Sequence, residues 1–312
     1  MSFPFPLASS TAMHSLDSLS RFSIPGQLRF HAHPTGLIFA EIDHAAGVAS
    51  LCLQGAHLTS FRPKSQPEPV VWVSEAARYL PGKSIRGGVP VCWPWFGPHA
   101  SESSFPAHGF ARTVPWAVVD SGASQGATHL TLQLQPSDAT RAQWPHDTPV
   151  SLRIRVSEVL EMDLITHNAT AQPLPLSEAL HTYFQVGDIA EVQLLGLDGC
   201  SYLDKTEAFA RKQQQGAVRF AAETDRVYVD TSAECVIVDP LLQRRIRIAK
   251  QGSASTVVWT PWEQKAAAMG DFTAQGWRNM LCVESANAAD NALTLQPGET
   301  HTLSVRYSAE AL

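Results

Sequence analysis

Three places in the chain join a titratable side chain to surroundings that would alter its chemistry. Glu284 follows Met280-Leu281-Cys282-Val283, an apolar run that would partly desolvate the carboxylate and raise its proton affinity towards values useful to a general base. His181 lies within Leu180-His181-Thr182-Tyr183-Phe184, where a lone imidazole serves as a packed strand residue or as an acid/base group. Asp225 stands at a strand entrance in ETDRVY and reads as a turn carboxylate or as an acceptor for a ligand. Trp262-Glu263 and Asp271, near the edge of another strand, either line a pocket or close a loop.

The densest stretch is Ser84 to Arg112, SIRGGVPVCWPWFGPHASESSFPAHGFAR. Gly87, Gly88, Gly97 and Gly109 permit unusual backbone, and Pro90, Pro94, Pro98 and Pro106 fix it, so a regular helix is excluded. Arg86, His99, His108 and Arg112 alternate there with Trp93, Trp95, Phe96 and Phe110, a mixture suited to gripping a polar or anionic ligand against flat apolar surfaces. The same residues also suit a connection whose aromatics plug the core.

These groups need a scaffold, and composition bounds it. The 312 residues are 44% hydrophobic and 17% charged, which describes a globular protein with ample core. A net charge of −6 argues against a nucleic-acid partner, since phosphate-backbone binding needs clustered Lys and Arg. The five cysteines, Cys52, Cys92, Cys200, Cys235 and Cys282, are widely spaced and form neither a metal motif nor a disulfide framework. HExxH, GxSxG and P-loop patterns are absent, so the expectation is no metal and no cofactor. The N-terminus lacks a secretory signal and no run reaches membrane-spanning length, so the expected location is cytoplasmic.

From about Gly36 onward, short alternating runs bounded by turn residues repeat without helical periodicity. Ser151 to Thr170 is the longest, with Leu152, Ile154, Val156, Leu160, Met162 and Leu164 on one parity and Glu158 as the exception. NALTLQ and THTLSVRYS flank Pro297-Gly298 and predict a final hairpin. Short turns or helices are expected at Ser74 to Leu80 and around Leu203 to Gln213. The fold class is therefore all-β, one large antiparallel β-sandwich over residues 23–312 with few short helices, preceded by an extension over residues 1–22.

In order, SIRGGVPVCWPWFG, HGFAR, LHTYF, ETDRVY, VVWTPWEQKAAAMGDF and CVESA resemble the hexose-6-phosphate mutarotases, the glucose-6-phosphate 1-epimerase branch of the aldose 1-epimerase, or galactose-mutarotase-like, superfamily. The resemblance runs from about Gly36 to Tyr307 and implies a supersandwich with its site in a cleft on one sheet. It implies that His181 and Glu284 are catalytic and that Arg86, His108, Arg112 and Asp225 bind substrate. Ala107 stands where that family commonly has a sugar-contacting Gln, and Ser285-Ala286 replaces its usual glycine or proline after the glutamate.

The implied reaction interconverts α and β anomers of a hexose 6-phosphate. Glu284, ionised, would take the O1 proton, and His181, kept charged by a nearby carboxylate, would protonate the ring oxygen. Arg86 and Arg112 would hold the phosphate by forked donation. No metal, nucleotide or covalent intermediate is required. Two other readings share these residues: a free-aldose epimerase, and a non-catalytic carbohydrate-binding sandwich using Trp93, Trp95, Trp259 and Trp262 as platforms.

Overall fold

The structure is a computed structural model and describes residues 15–124 and 126–312. The expected N-terminal extension therefore lies outside the described residues up to residue 14. Residues 15–22 form the short helix Leu16–Leu19, capped by the Ser15 hydroxyl, and the single turn Ser20–Phe22. Leu19 is fully buried in the main core.

Two large antiparallel sheets dominate, as the alternation requires. An eight-stranded sheet runs from Ala210–Gln213 at one edge to Val91–Cys92 at the other, with Ser255–Thr260 and Met280–Asn287 in its middle. A nine-stranded sheet runs from Val218–Arg219 to Trp116–Ser124 and is centred on the long strand Thr300–Ala311. A four-stranded sheet formed by residues 28–63 and a two-stranded pair complete the architecture. The core fills the space between the large sheets, with Leu180, Phe184, Tyr228, Leu281 and Val283 from the first meeting Leu152, Ile154, Leu164, Ile246 and Leu303 from the second. Burying each such side chain contributes roughly 1.5–3 kcal/mol.

The Ser151 to Thr170 stretch is two strands, Val150–Val156 and Leu160–His167, paired through a tight turn. Glu158 breaks the apolar parity because it sits exposed at that turn. Around Leu203 to Gln213 the chain makes a hairpin, Ser201–Asp204 against Ala210–Gln213, with one helical turn, Lys205–Glu207, between them. Ser74 to Leu80 contains a turn and no helix.

The expected final hairpin is not formed. Leu293–Leu295 pairs with Leu174–Leu176, whereas Thr300–Ala311 pairs with Leu160–His167 and Arg244–Gln251 in the nine-stranded sheet. The buried Asn168 pins the Pro297-Gly298 turn: its carbonyl accepts from the Gly298 amide and its side-chain amide donates to the Leu295 carbonyl. Each flanking strand pairs with other partners, so the turn passes the chain from one sheet to another. Two helices also interrupt the β pattern, Asp138–Gln143 behind a Ser137/Thr140 capping box and Trp262–Met269 ending at Gly270 with φ +68°.

Candidate functional site

Period-two alternation along Met280–Asn287 sends Leu281 and Val283 into the core and Cys282, Glu284 and Ala286 to the opposite face. Glu284 lies opposite Val257, and the next pair, Cys282 opposite Trp259, carries the same face across to Asp225, which is opposite Trp259 on Thr224–Tyr228. His181 sits in a break. Leu180 still pairs with Ser285, the His181 amide then donates to the Pro90 carbonyl, and pairing resumes only at Tyr183 opposite Cys282. Released from the ladder, His181 brings its Nε2 to 3.3 Å from Glu284 Oε1. Its ring stacks on Tyr183 at 5.0 Å with an interplanar angle of 12°.

The glycine- and proline-rich stretch delivers the other groups. Gly87 has φ +108°, and a Cβ there would lie 2.5 Å from Val73 Cα, so the chain presses against Trp72-Val73 as it presents Arg86. Gly109 has φ +72°, and a Cβ there would lie 2.0 Å from the Trp93 carbonyl oxygen. That contact sets His108, itself at φ +67°, against Phe96 and 5.8 Å from the His181 ring. Arg112 Nη2 donates to the Ala107 carbonyl at 2.8 Å.

Arg86, His108, Arg112, His181, Asp225 and Glu284 all line one cavity of about 280 Å³. Of the candidate aromatic platforms, only Trp259 lines it; Trp93 and Trp95 pack in the main core, and His99 packs on Trp95 and Phe105. A larger cavity of about 560 Å³, walled by Trp93, Phe110, Trp144 and residues 145–149, contains none of the six.

Sequence reading missed two cavity-lining cations. Lys205, in the turn of the Ser201–Gln213 hairpin, places Nζ 2.9 Å from Asp225 Oδ2, and Lys265, on the Trp262–Met269 helix, reaches Glu223 Oε1 at 2.5 Å. Only the pairing of Ser201–Asp204 with Thr224–Tyr228 brings Lys205 to Asp225, so no local signal could have found it. Asp271 closes the loop and also reaches the site: its Oδ2 accepts from Arg86 Nε at 3.0 Å, while Arg86 Nη1 donates to the Tyr183 hydroxyl at 2.9 Å.

Burial and the cations act together on the titratable groups. Burial, then His108, Arg112 and Arg86, hold the His181 imidazole well below the usual histidine range. Burial pushes Glu284, 1% exposed, well above the usual carboxyl range, with Lys205 opposing. Burial, Arg112, Lys205 and Arg86 lower His108 to about 3, so it is neutral. Burial raises Asp225 against the pull of Lys205. Both shifts oppose the charged forms expected of His181 and Glu284 from the sequence.

His181, Cys282 and Glu284 offer one ligand atom each within 4.8 Å of one another, a spacing that a metal ion can use. Burial and Glu284 push the Cys282 thiol well up, and Arg86, Arg112 and Lys205 share the cavity or its wall, so this donor set does not favour a cation. All five cysteines are free thiols. Among the described residues, no helix is long and apolar enough to cross a membrane.

The chain is similar to proteins that share this arrangement of sheets. A Salmonella typhimurium protein named "Putative glucose-6-phosphate 1-epimerase" is 40% identical over 248 residues, covering 79% of this chain and 82% of that one. One of the same name from Escherichia coli K12 is 39% identical over 261 residues, 83% and 86% of the two chains. The crystal structure of a "putative mutarotase" from Salmonella typhimurium superposes with a TM-score of 0.85 at 34% identity, over 96% of this chain and 100% of that one. The family model for aldose 1-epimerase matches residues 40–308. With that match across most of its length and a cleft holding a buried imidazole–carboxyl pair, the chain belongs to the aldose 1-epimerase family of sugar isomerases.

Proposed function

We propose that this protein interconverts the α and β anomers of glucose 6-phosphate or a related hexose 6-phosphate. The observation that carries the reading is the His181–Glu284 pair, 3.3 Å apart in a cavity that Arg86, Arg112, Lys205 and Lys265 also line. The curated relatives named for glucose 6-phosphate support the same substrate class.

The pair holds one proton throughout. In the productive complex the proton is on the imidazole and Glu284 is ionised; a bound phosphate dianion favours this by offsetting the Arg112 and Arg86 charges that add to burial in depressing His181. Glu284 then takes the proton from O1 as His181 donates one to O5; the C1–O5 bond breaks and C1=O1 forms. The enzyme is left with a neutral imidazole and a protonated carboxyl, the forms that burial favours at both groups. Rotation about C1–C2 presents the other face of the aldehyde, and the reverse transfers close the ring. His181 is held in plane by its stack on Tyr183, and Asp225, held by Lys205, accepts hydrogen bonds from sugar hydroxyls. Neutral His108 donates or accepts at another hydroxyl, and Arg86 and Arg112 bind the phosphate.

The test is anomer exchange by NMR on glucose 6-phosphate, with free glucose and galactose alongside. Exchange of the phosphosugar should fall by at least ~10²-fold in His181→Asn and in Glu284→Gln, with folding intact. Near-normal rates in either variant remove that residue from the mechanism. Equal rates on free sugars in the wild-type protein identify a free-aldose epimerase, and binding without exchange identifies a carbohydrate-binding module.

A further inference from the structure

The guanidinium assigned to the phosphate already holds an anion. Arg86 Nε donates to Asp271 Oδ2 at 3.0 Å, and with this carboxylate in place a phosphate dianion would approach a neutralised arginine beside a like charge. We infer that Asp271 is a specificity-determining residue: its carboxylate stands in for the substrate's phosphate on Arg86, and only a dianion displaces it. The inference rests on the proposed phosphate role of Arg86.

Four observations make the carboxylate a placeholder. It grips through one oxygen; Asp271 Oδ1 is buried and has no hydrogen-bond partner among the described residues, so the contact falls short of a forked pair. Arg86 keeps its other anchor, the Tyr183 hydroxyl on Nη1, when the carboxylate leaves. The Phe272 ring lies 5.5 Å from the guanidinium carbon and stacks on Trp72 at 5.4 Å, giving the cation an apolar bed beside the carboxylate. Asp271 follows Gly270, which ends the helix at φ +68° with nothing within 4 Å of where a Cβ would stand, so the side-chain-free residue before Asp271 leaves room for the carboxylate to shift.

The exchange discriminates by charge. The hydroxymethyl group of a free sugar cannot replace a carboxylate on an arginine, and a monoanion replaces it without gain. A phosphate brings a second charge and further oxygens for the guanidinium fork. Asp271 thereby sets a threshold that neutral and singly charged ligands do not cross.

The experiment measures inorganic phosphate and acetate binding by calorimetry, and KM and kcat for glucose 6-phosphate, in the wild-type protein, Asp271→Asn and Arg86→Ala. Asp271→Asn should bind phosphate about tenfold more tightly, gain measurable acetate binding and lower KM with kcat changed less than about threefold. Arg86→Ala should lose phosphate binding. If Arg86→Ala loses phosphate but Asp271→Asn binds it no better, or worse, Asp271 only braces Arg86 and the inference fails while the phosphate reading stands. If Arg86→Ala binds phosphate normally, the reading fails and takes the placeholder with it. Asp271→Ser, checked by thermal melting, replaces Asp271→Asn should that variant not fold.

Discussion

Two groups that each resist their charged form still make an acid–base pair when they share one proton. Burial raises Glu284 and burial with neighbouring cations lowers His181, so both shifts favour the state in which the pair carries a single proton. Activity falls on the acid side where the pair gains a second proton and on the alkaline side where its single proton leaves. In the kcat/KM profile for the phosphosugar, protonation of the phosphate dianion near pH ~6 adds to the acid limb, so the alkaline limb reports the pair. That limb should vanish from the residual activity of Glu284→Gln, and its persistence would show that the pair does not act as one unit. The types of both residues were legible in the chain, since an apolar run before Glu284 signals desolvation. The depression of His181 was not, because the groups that add to burial there, His108, Arg112 and Arg86, come from 69 to 95 positions before it.

At the scale of elements, the site depends on backbone that tolerates close approach. Gly109 lets the His108 segment lie against the Trp93 carbonyl, and a methyl group placed 2.0 Å from that oxygen has to move one chain or the other. Gly109→Ala should destabilise the protein by about 1–3 kcal/mol in urea unfolding and should cut exchange activity through His108 and Arg112. Unchanged stability and activity would mean that the segment has slack the geometry does not show. The strands themselves were readable from alternation, and Glu158 marked a turn by breaking it. Pairing partners were not: Pro297-Gly298 has turn chemistry, yet Asn168 and two already formed sheet edges route its flanking strands apart. A turn residue specifies a bend, and the competition among edges specifies what pairs across it.

Across the whole molecule, the two large sheets and the small one are tied by buried polar contacts as well as by the core. Arg244, 1% exposed on a strand of the nine-stranded sheet, donates to the carbonyls of Glu68, Pro69 and Gln185, joining the chain beyond the small sheet to the strand that follows His181. Arg244→Met keeps the volume of the stem but leaves those carbonyls without their donors. It should cost about 2–4 kcal/mol in chemical denaturation. A loss below about 0.5 kcal/mol would mean that backbone rearrangement or water replaces the guanidinium. Tyr307 on the nine-stranded sheet and Thr182 beside the His181 imidazole share a buried 2.6 Å hydrogen bond, which gives the sandwich a direct hold on the cleft.

The chain by itself determined the all-β class, the strand alternation that buries one face, and the six residues that meet at the cleft, because propensity, periodicity and local motif order are properties of neighbours in sequence. Only the tertiary structure decided that Trp93 and Trp95 are core and Trp259 lines the cleft, that Lys205 holds Asp225, that Asp271 pairs with Arg86, and that Glu284 is pushed well above the usual carboxyl range. Those outcomes turn on burial and on charges brought together from distant strands, and both quantities exist only once the sheets have closed on each other.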